Sequence, residues 1–280
     1  MLLLIFAQLI KTNMKKLLTL FTAAAVLIAC NDDKETEDKS IEPVVKTSTV
    51  KTISFNIVAQ YPHDTASYTE GLEIYNSKLY ESGGDYINSV LQYGDIKTGK
   101  IDKKNKMGSA TIFGEGITIL NGKLYQLTYQ THDVFVYDVK DITKVIQKFT
   151  WPYEGWGMTN NGTDLIITTG GTDLYFVDPA TFKIKNTVHI HDDNGPIDSV
   201  NELEYVKGFV WANVYTTKDI LKIDPATGAV VGKMNFNNLP GNDSIPGRTE
   251  YFNGIAYDST NNSFFITGKR WPKIYEVKVN

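Results

Sequence analysis

Along most of the chain, apolar and polar residues alternate with a period of two, in short runs broken by Gly, Asp and Asn. That alternation turns successive side chains to opposite faces of a strand, so it predicts β structure rather than helix. Lys123–Thr128, Leu165–Thr169 and Phe209–Val214 carry it clearly. A longer period runs over it. Short triplets recur at Glu70-Gly71-Leu72, Glu115-Gly116-Ile117, Trp156-Gly157-Met158, Asn201-Glu202-Leu203 and Asn253-Gly254-Ile255, at spacings of 45, 41, 45 and 52. Each repeat then reaches an acidic position: Asp95, Asp138, Asp178, Asp224 and Glu276. Repeats of ~40–50 residues without helical periodicity are those of four-stranded propeller blades. The pattern predicts an all-β, five-bladed β-propeller over residues 51–280. Asp95–Gly99 and Asp224–Gly228 read as hairpin turns between the third and fourth strands of their blades, and Gly170-Gly171 as another turn.

The last repeat stops after three strands, at Tyr275–Val279. Ile53–Gln60, ahead of the first repeat, alternates like a fourth strand. The N-terminal strand is therefore expected to complete the last blade and close the ring, which removes an exposed sheet edge.

The first residues follow another pattern. Residues 1–29 hold Lys11, Lys15 and Lys16 and no acidic residue; Met14-Lys15-Lys16 precedes an apolar run from Leu17 to Ala29. This is the layout of a signal peptide, too short and wrongly flanked for a membrane span, with Met14 as its expected start. It ends at Leu27-Ile28-Ala29-Cys30, which resembles the bacterial lipobox, in which the cysteine is lipidated. Residues 30–50 are then the lipidated Cys30 and a charged tether. The acidic residues after Cys30 resemble surface-export signals of Bacteroidetes-type lipoproteins, although a plain solvated spacer has the same composition. The expectation is a folded body held outside the cytoplasm, on the periplasmic or cell-surface face of a bacterial membrane. The tether gives no reason to expect an oligomer, so a monomer is predicted.

Composition narrows the chemistry. The 280 residues are 42% hydrophobic and 12% aromatic, ample for a large core and leaning toward β structure. A formal charge of −4, which becomes −7 without the three leader lysines, argues against a nucleic-acid partner. One cysteine excludes a disulfide framework and a cysteine-rich zinc site. His189 and His191 share a strand face with no further ligand nearby, as expected of a solvated surface. No nucleophile elbow or phosphate loop is present.

In a propeller the first strand of each blade borders the central channel. Glu70, Glu115, Trp156, Asn201 and Asn253 occupy equivalent positions there and should converge. Unpaired buried polar groups cost ~1–3 kcal/mol each, so such a cluster favours a pocket over a plain core, with carboxylates knitting the blades as the structural alternative. Tyr68, Phe113, Tyr129, Trp156 and Tyr215 follow the same segments and suit the walls of that pocket.

Tyr68-Thr69-Glu70-Gly71-Leu72, Phe113-Gly114-Glu115-Gly116, Leu124–Tyr129, Glu154-Gly155-Trp156-Gly157, Asp178-Pro179-Ala180-Thr181-Phe182, Asn201–Tyr205, Ala212–Tyr215, Asn253–Tyr257 and Thr267–Pro272 follow in order. Together they resemble the plant and bacterial type of glutamine cyclotransferase, a five-bladed propeller family, over about residues 55–280. The resemblance implies conversion of an N-terminal glutamine of a peptide or protein to 5-oxoproline with release of ammonia. Glu115 matches the family's essential glutamate, and Tyr68, Phe113, Trp156, Asn201 and Lys269 match other pocket positions. Glu70 stands where the family often has Gln, and Tyr129 and Tyr215 where plant members have Trp. In the expected scheme Glu115 moves a proton from the attacking amine to the departing ammonia, and Asn201 and Lys269 stabilise the oxyanion. Tyr68, Glu70, Phe113, Tyr129, Trp156, Tyr215 and Asn253 would hold the substrate. No metal or organic cofactor is required, and the sequence shows no axial ion although the channel leaves room for a structural one. Two other readings stand beside this one: a tethered, non-catalytic propeller that binds a peptide or glycan in the same aromatic cup, and a calcium-dependent lactonase-like propeller.

Overall fold

The computed structural model describes residues 49–107, 110–239 and 250–280. The expected leader, Cys30 and most of the tether lie outside the described residues. The described residues belong to one unit, Thr47–Asn280, which begins a few positions before the expected boundary at residue 51.

Five blades, each built on four antiparallel strands, follow one another along the chain, with a short two-stranded ribbon, His191–Asp192 against Gly195–Pro196, between the third and fourth; no helix occurs among the described residues. Blade 1 comprises Tyr68–Tyr75, Lys78–Gly84, Val90–Gly94 and Ile101–Lys106. Blade 2 comprises Gly114–Leu120, Lys123–Thr128, Asp133–Asp138 and Asp141–Thr150. Blade 3 comprises Met158–Asn160, Leu165–Ile167, Asp173–Val177 and Ile184–His189. Blade 4 comprises Val200–Val206, Phe209–Val214, Asp219–Ile223 and Val230–Asn235. Blade 5 takes Phe252–Asp258, Ser263–Gly268 and Lys273–Val279 from the C-terminal end and Phe55–Pro62 from the N-terminal end. The closing strand pairs antiparallel from Phe55↔Val279 to Pro62↔Lys273. This is the predicted ring closure.

Burial falls from the first strand of a blade to the last. Gly114–Leu120 is buried throughout, whereas Ile101–Lys106 is almost wholly exposed. The cores lie mainly between neighbouring blades: one cluster packs Trp151, Met158, Leu127 and Phe182, and another packs Trp211, Phe236, Phe252 and Trp271. The Asp turns behave as read. The Asp95 carboxylate accepts from Thr98 N and Oγ1 at 2.8 Å each, and the Asp178 carboxylate from Thr181 in the same way. Glu276 departs from the set. It lies within its strand and accepts the Tyr61 hydroxyl at 2.7 Å across the closing seam.

Neither that ribbon nor a short strand ahead of the ring was anticipated. Lys51–Thr52 pairs parallel with Gly232 and Lys233, adding a fifth strand to the outer edge of blade 4 before the chain crosses to blade 5. Ile53 N donates to Lys233 O at 2.8 Å and Thr49 Oγ1 to Asp193 at 2.7 Å, so the crossing is held on both sides.

The triplets mark irregularities in the first strands. The register shifts between Thr69 and Gly71, between Gly114 and Ile117, between Val200 and Leu203 and between Phe252 and Ile255. In blade 3 the first strand starts only at Met158, just past Trp156-Gly157. A bulge releases a residue from the ladder and re-aims its side chain. Here the released residues are the triplet starts. The glycine behind them lets adjacent blades meet backbone to backbone. A Cβ on Gly116 would lie 2.5 Å from Trp156 O, and one on Gly157 would lie 2.0 Å from Asn201 O. In blade 4 Glu202 replaces that glycine, and its carboxylate accepts Leu72 N at 3.2 Å and Ile255 N at 2.7 Å.

Candidate active site

A cavity of about 220 Å³ opens where the bulged segments converge, lined by Tyr68, Glu70, Tyr86, Phe113, Glu115, Tyr129, Trp156, Asn201, Tyr215 and Lys269. Nine of these ten are residues singled out from the sequence. The walls are aromatic. Phe113 meets Tyr68 edge-on with centroids 6.1 Å apart and lies 5.9 Å from Tyr129. Trp156 meets Tyr215 edge-on at 5.7 Å.

Two groups of the lining are bound to each other. Lys269 Nζ donates to both Glu70 oxygens at 2.7 and 2.8 Å, and both side chains are buried. The ammonium also lies 4.5 Å from the Tyr68 ring centroid and 5.3 Å from that of Tyr215, a cation–π arrangement. Burial alone would lower the Lys269 pKa, but the charges of Glu70 and Glu115 outweigh it and hold it above the usual lysine value. Burial pushes the Glu70 carboxyl up, and Lys269 draws it back. The turn after Gly268 delivers this lysine: Lys269 N donates to Tyr251 O and Arg270 N to Ser67 O, both at 2.8 Å.

Glu115 differs. Only 6% of it is exposed, and no protein donor reaches its carboxylate among the described residues. Burial raises its pKa well above the ordinary carboxylate range; the charges of Glu70 and Glu154 push it further, against Lys269. A carboxyl with its proton affinity raised by burial and by neighbouring anions is a candidate proton-transfer group. Asn201 is buried beside it, and its Oδ1 accepts no hydrogen bond from the protein.

Asn253 is a correction. It is fully buried and does not line the cavity; its Nδ2 donates to Thr69 O at 3.0 Å and to Glu70 at 3.3 Å. It supports Glu70 and cannot touch a substrate in the cavity. The physical reason is that the blade 5 bulge turns its side chain to the neighbouring backbone. Tyr86 and Glu154 were missed. Tyr86 sits in the loop between the second and third strands of blade 1, where the inner-strand repeat says nothing. Glu154 accepts from Gln130 at 3.0 Å and from Trp156 Nε1 at 3.5 Å, and the Tyr129 hydroxyl is hydrogen-bonded to it. It therefore ties two wall aromatics together.

Farther along the first strands the axis holds more acids. Burial pushes Glu73 up to about 8, and Glu202 and Glu204 well above their usual value. Among the described residues no group of three or more His, Cys, Asp or Glu is placed to hold a metal ion. His189 and His191 are exposed, and His189 pairs with Asp173 at 2.5 Å.

Residues 22–279 match the family model of glutamine cyclotransferase. The chain belongs to that family. It is 36% identical over 227 residues to a glutaminyl-peptide cyclotransferase of Arabidopsis thaliana, an alignment spanning 80% of this chain and 70% of the plant protein. Its fold is similar to the crystal structure of Myxococcus xanthus glutaminyl cyclase, with a TM-score of 0.74 and 29% identity over 82% of this chain and 98% of that one.

Proposed function

We propose that the chain is a glutaminyl-peptide cyclotransferase that acts on peptides with an N-terminal glutamine. The observation that carries this reading is the state of Glu115: a buried carboxyl with no protein partner and a raised proton affinity, facing an aromatic cavity beside a lysine already neutralised by Glu70.

The reaction is intramolecular. The substrate's α-amine nitrogen bonds to the carbon of its own γ-carboxamide, and the bond from that carbon to the amide nitrogen breaks. An α-amine has a pKa of ~7.7–8.0, so part of it is neutral and nucleophilic at physiological pH. Glu115, as carboxylate, takes a proton from the attacking amine and delivers it to the leaving nitrogen, which departs as ammonia. The aromatic walls hold the side chain folded, which supplies proximity. Lys269 has three N–H donors, of which two are engaged by Glu70. The third and the Asn201 carboxamide are the groups that meet the developing oxyanion. Tyr68, Phe113, Tyr129, Trp156 and Tyr215 form the substrate-binding wall. The test is ammonia release from a Gln-initiated dipeptide amide by the parent and by a folded Glu115→Gln variant. A variant as active as the parent removes Glu115 from the chemistry.

We also propose that Cys30 is lipidated and tethers the enzyme, as a monomer, to the outer side of the cytoplasmic boundary, periplasmic or at the cell surface. The support is the sequence Leu27–Cys30 after a basic and apolar leader. No helix among the described residues is long and apolar enough to cross a membrane. Metabolic labelling with a fatty acid should mark the parent and not Cys30→Ala, and light scattering of delipidated protein should give the monomer mass.

A further inference from the structure

Resting on the cyclotransferase reading, we propose that the rim loop Asp85–Ser89 forms a subsite for the second residue of the peptide and selects an apolar side chain there, through Tyr86 and Ile87. The argument starts from room. A cavity of ~150 Å³ takes up benzene, and a glutamine residue has half again as many heavy atoms, so about 220 Å³ accommodates one such residue. The residue that follows must lie at the mouth.

Tyr86 is continuous with the cavity wall: its ring meets Phe113 edge-on at 5.2 Å, yet the residue is 42% exposed. Ile87, next to it, is 82% exposed, the largest exposure of any large hydrophobic residue described. A single exposed isoleucine on a loose loop would mean little. This loop is not loose. Asp85 accepts Ile87 N at 3.0 Å and Asn88 Nδ2 at 3.2 Å through its carboxylate, and Ser89 N and Oγ at 2.8 and 2.7 Å through its carbonyl. Ser89 Oγ in turn accepts Gly114 N at 3.0 Å, one residue from Glu115. Arg270 pairs with Asp85 at 3.3 Å while its guanidinium lies 4.9 Å from the Tyr68 ring centroid. The loop that presents Ile87 is thus fixed to the turn that delivers Lys269 and to the strand that delivers Glu115. An apolar surface held in place beside a one-residue cavity gains by covering itself with an apolar side chain.

The experiment compares kcat/KM for ammonia release from Gln-Leu-amide and Gln-Gly-amide by the parent and by Ile87→Ser. Turnover of either peptide reports the activity; the ratio between them reports the subsite and does not depend on how much of a preparation is folded. The parent should favour Gln-Leu-amide by roughly fivefold or more, as expected for partial burial of a leucine side chain, and Ile87→Ser should bring the ratio close to one. A parent that turns over both peptides equally overturns the subsite and leaves the activity standing. A preference that survives Ile87→Ser unchanged also overturns it. A folded parent that turns over neither overturns both readings.

Discussion

Glu70 and Lys269 stand 199 positions apart in sequence and meet as a two-pronged ion pair inside the cavity. Neither charge is left to act alone. The lysine is held charged without becoming a full counter-ion for Glu115, and the anion of Glu70 stands close enough to raise the proton affinity of Glu115. In the proposed mechanism, one pair thus both fixes the oxyanion donor and tunes the proton carrier.

Glu115→Gln should lower kcat by about 10²–10⁴, the usual contribution of general acid–base catalysis, with a small change in KM. Stability should move the other way. The folded pKa of Glu115 is raised, so the parent loses stability as pH climbs from the unfolded carboxyl value through the folded one. The Gln variant lacks that loss, and its Tm at pH 8 should equal or exceed that of the parent. Steady-state kinetics and a thermal melt check both.

Glu70→Gln should move the acidic limb of the kcat/KM profile to lower pH. Removing the Glu70 anion takes away a charge that raises the Glu115 pKa, and it frees Lys269 to lower that pKa further. Both effects have the same sign. Lys269 also loses its two-pronged partner and keeps only Glu115 as a nearby anion, so stability should fall, read as a lower denaturant midpoint. The substrate amine's own ionisation, near ~7.7–8.0, is the same for both enzymes; a Glu115 step that stays in place once it is divided out contradicts the coupling.

His63 and Glu81 latch the closing strand to blade 1, and their pH response is legible. His63 Nδ1 faces Trp271 O at 2.6 Å and Nε2 faces Glu81 at 2.9 Å, so both ring nitrogens must donate and the imidazole is charged. Burial opposes that charge, but Glu81 and the Trp271 carbonyl outweigh it and hold the pKa above the usual histidine value. The latch contributes fully below the unfolded value of ~6.5, and its contribution disappears as pH rises through the raised folded value. Burial opposes the Glu81 carboxylate too, yet His63, Ser67 and Thr69 lower it to about 2, so its part is lost only as pH falls toward that value. Tm measured from pH 6 to 9 should fall more steeply for the parent than for His63→Gln, which starts lower and keeps only the fall due to the buried carboxyls.

Gly157→Ala places a Cβ 2.0 Å from the Asn201 carbonyl oxygen and 2.7 Å from its carbon, both backbone atoms. No side chain can yield there, so blades 3 and 4 must separate. The expected cost is at the upper end of about 1–3 kcal/mol or beyond it, because the contacts are with backbone, visible as a loss of Tm or as insoluble protein. A variant with the parental Tm would show that the blades do not meet as closely as described.

Much of this architecture was legible because a propeller writes its period into the chain. Equivalent positions recur as Glu70, Glu115, Trp156 and Asn201, and the closing strand is visible because the last repeat is one strand short. What was hidden depends on local departures from the repeat. The parallel pair Lys51–Thr52 is too short to show alternation. The bulge in blade 5 turns Asn253 away from the cavity, although its place in the triplet matches that of Asn201. Tyr86 lies in a loop, where strand periodicity carries no information, and Glu154 acts through the aromatics it holds rather than from a triplet start.

The seam between Phe55–Pro62 and Lys273–Val279 also sets a timetable. Asn56 and Asn280, 224 positions apart, are hydrogen-bonded at 2.6 Å. Blade 5 thus lacks its outer strand until the two ends of the body have met, a long-range closure of the kind that slows folding. The ring cannot close before Lys273–Val279 is available to pair with Phe55–Pro62, however far the first four blades have progressed. Until that seam forms, Lys273–Val279 is left with an unpaired outer edge and the ring is an open arc.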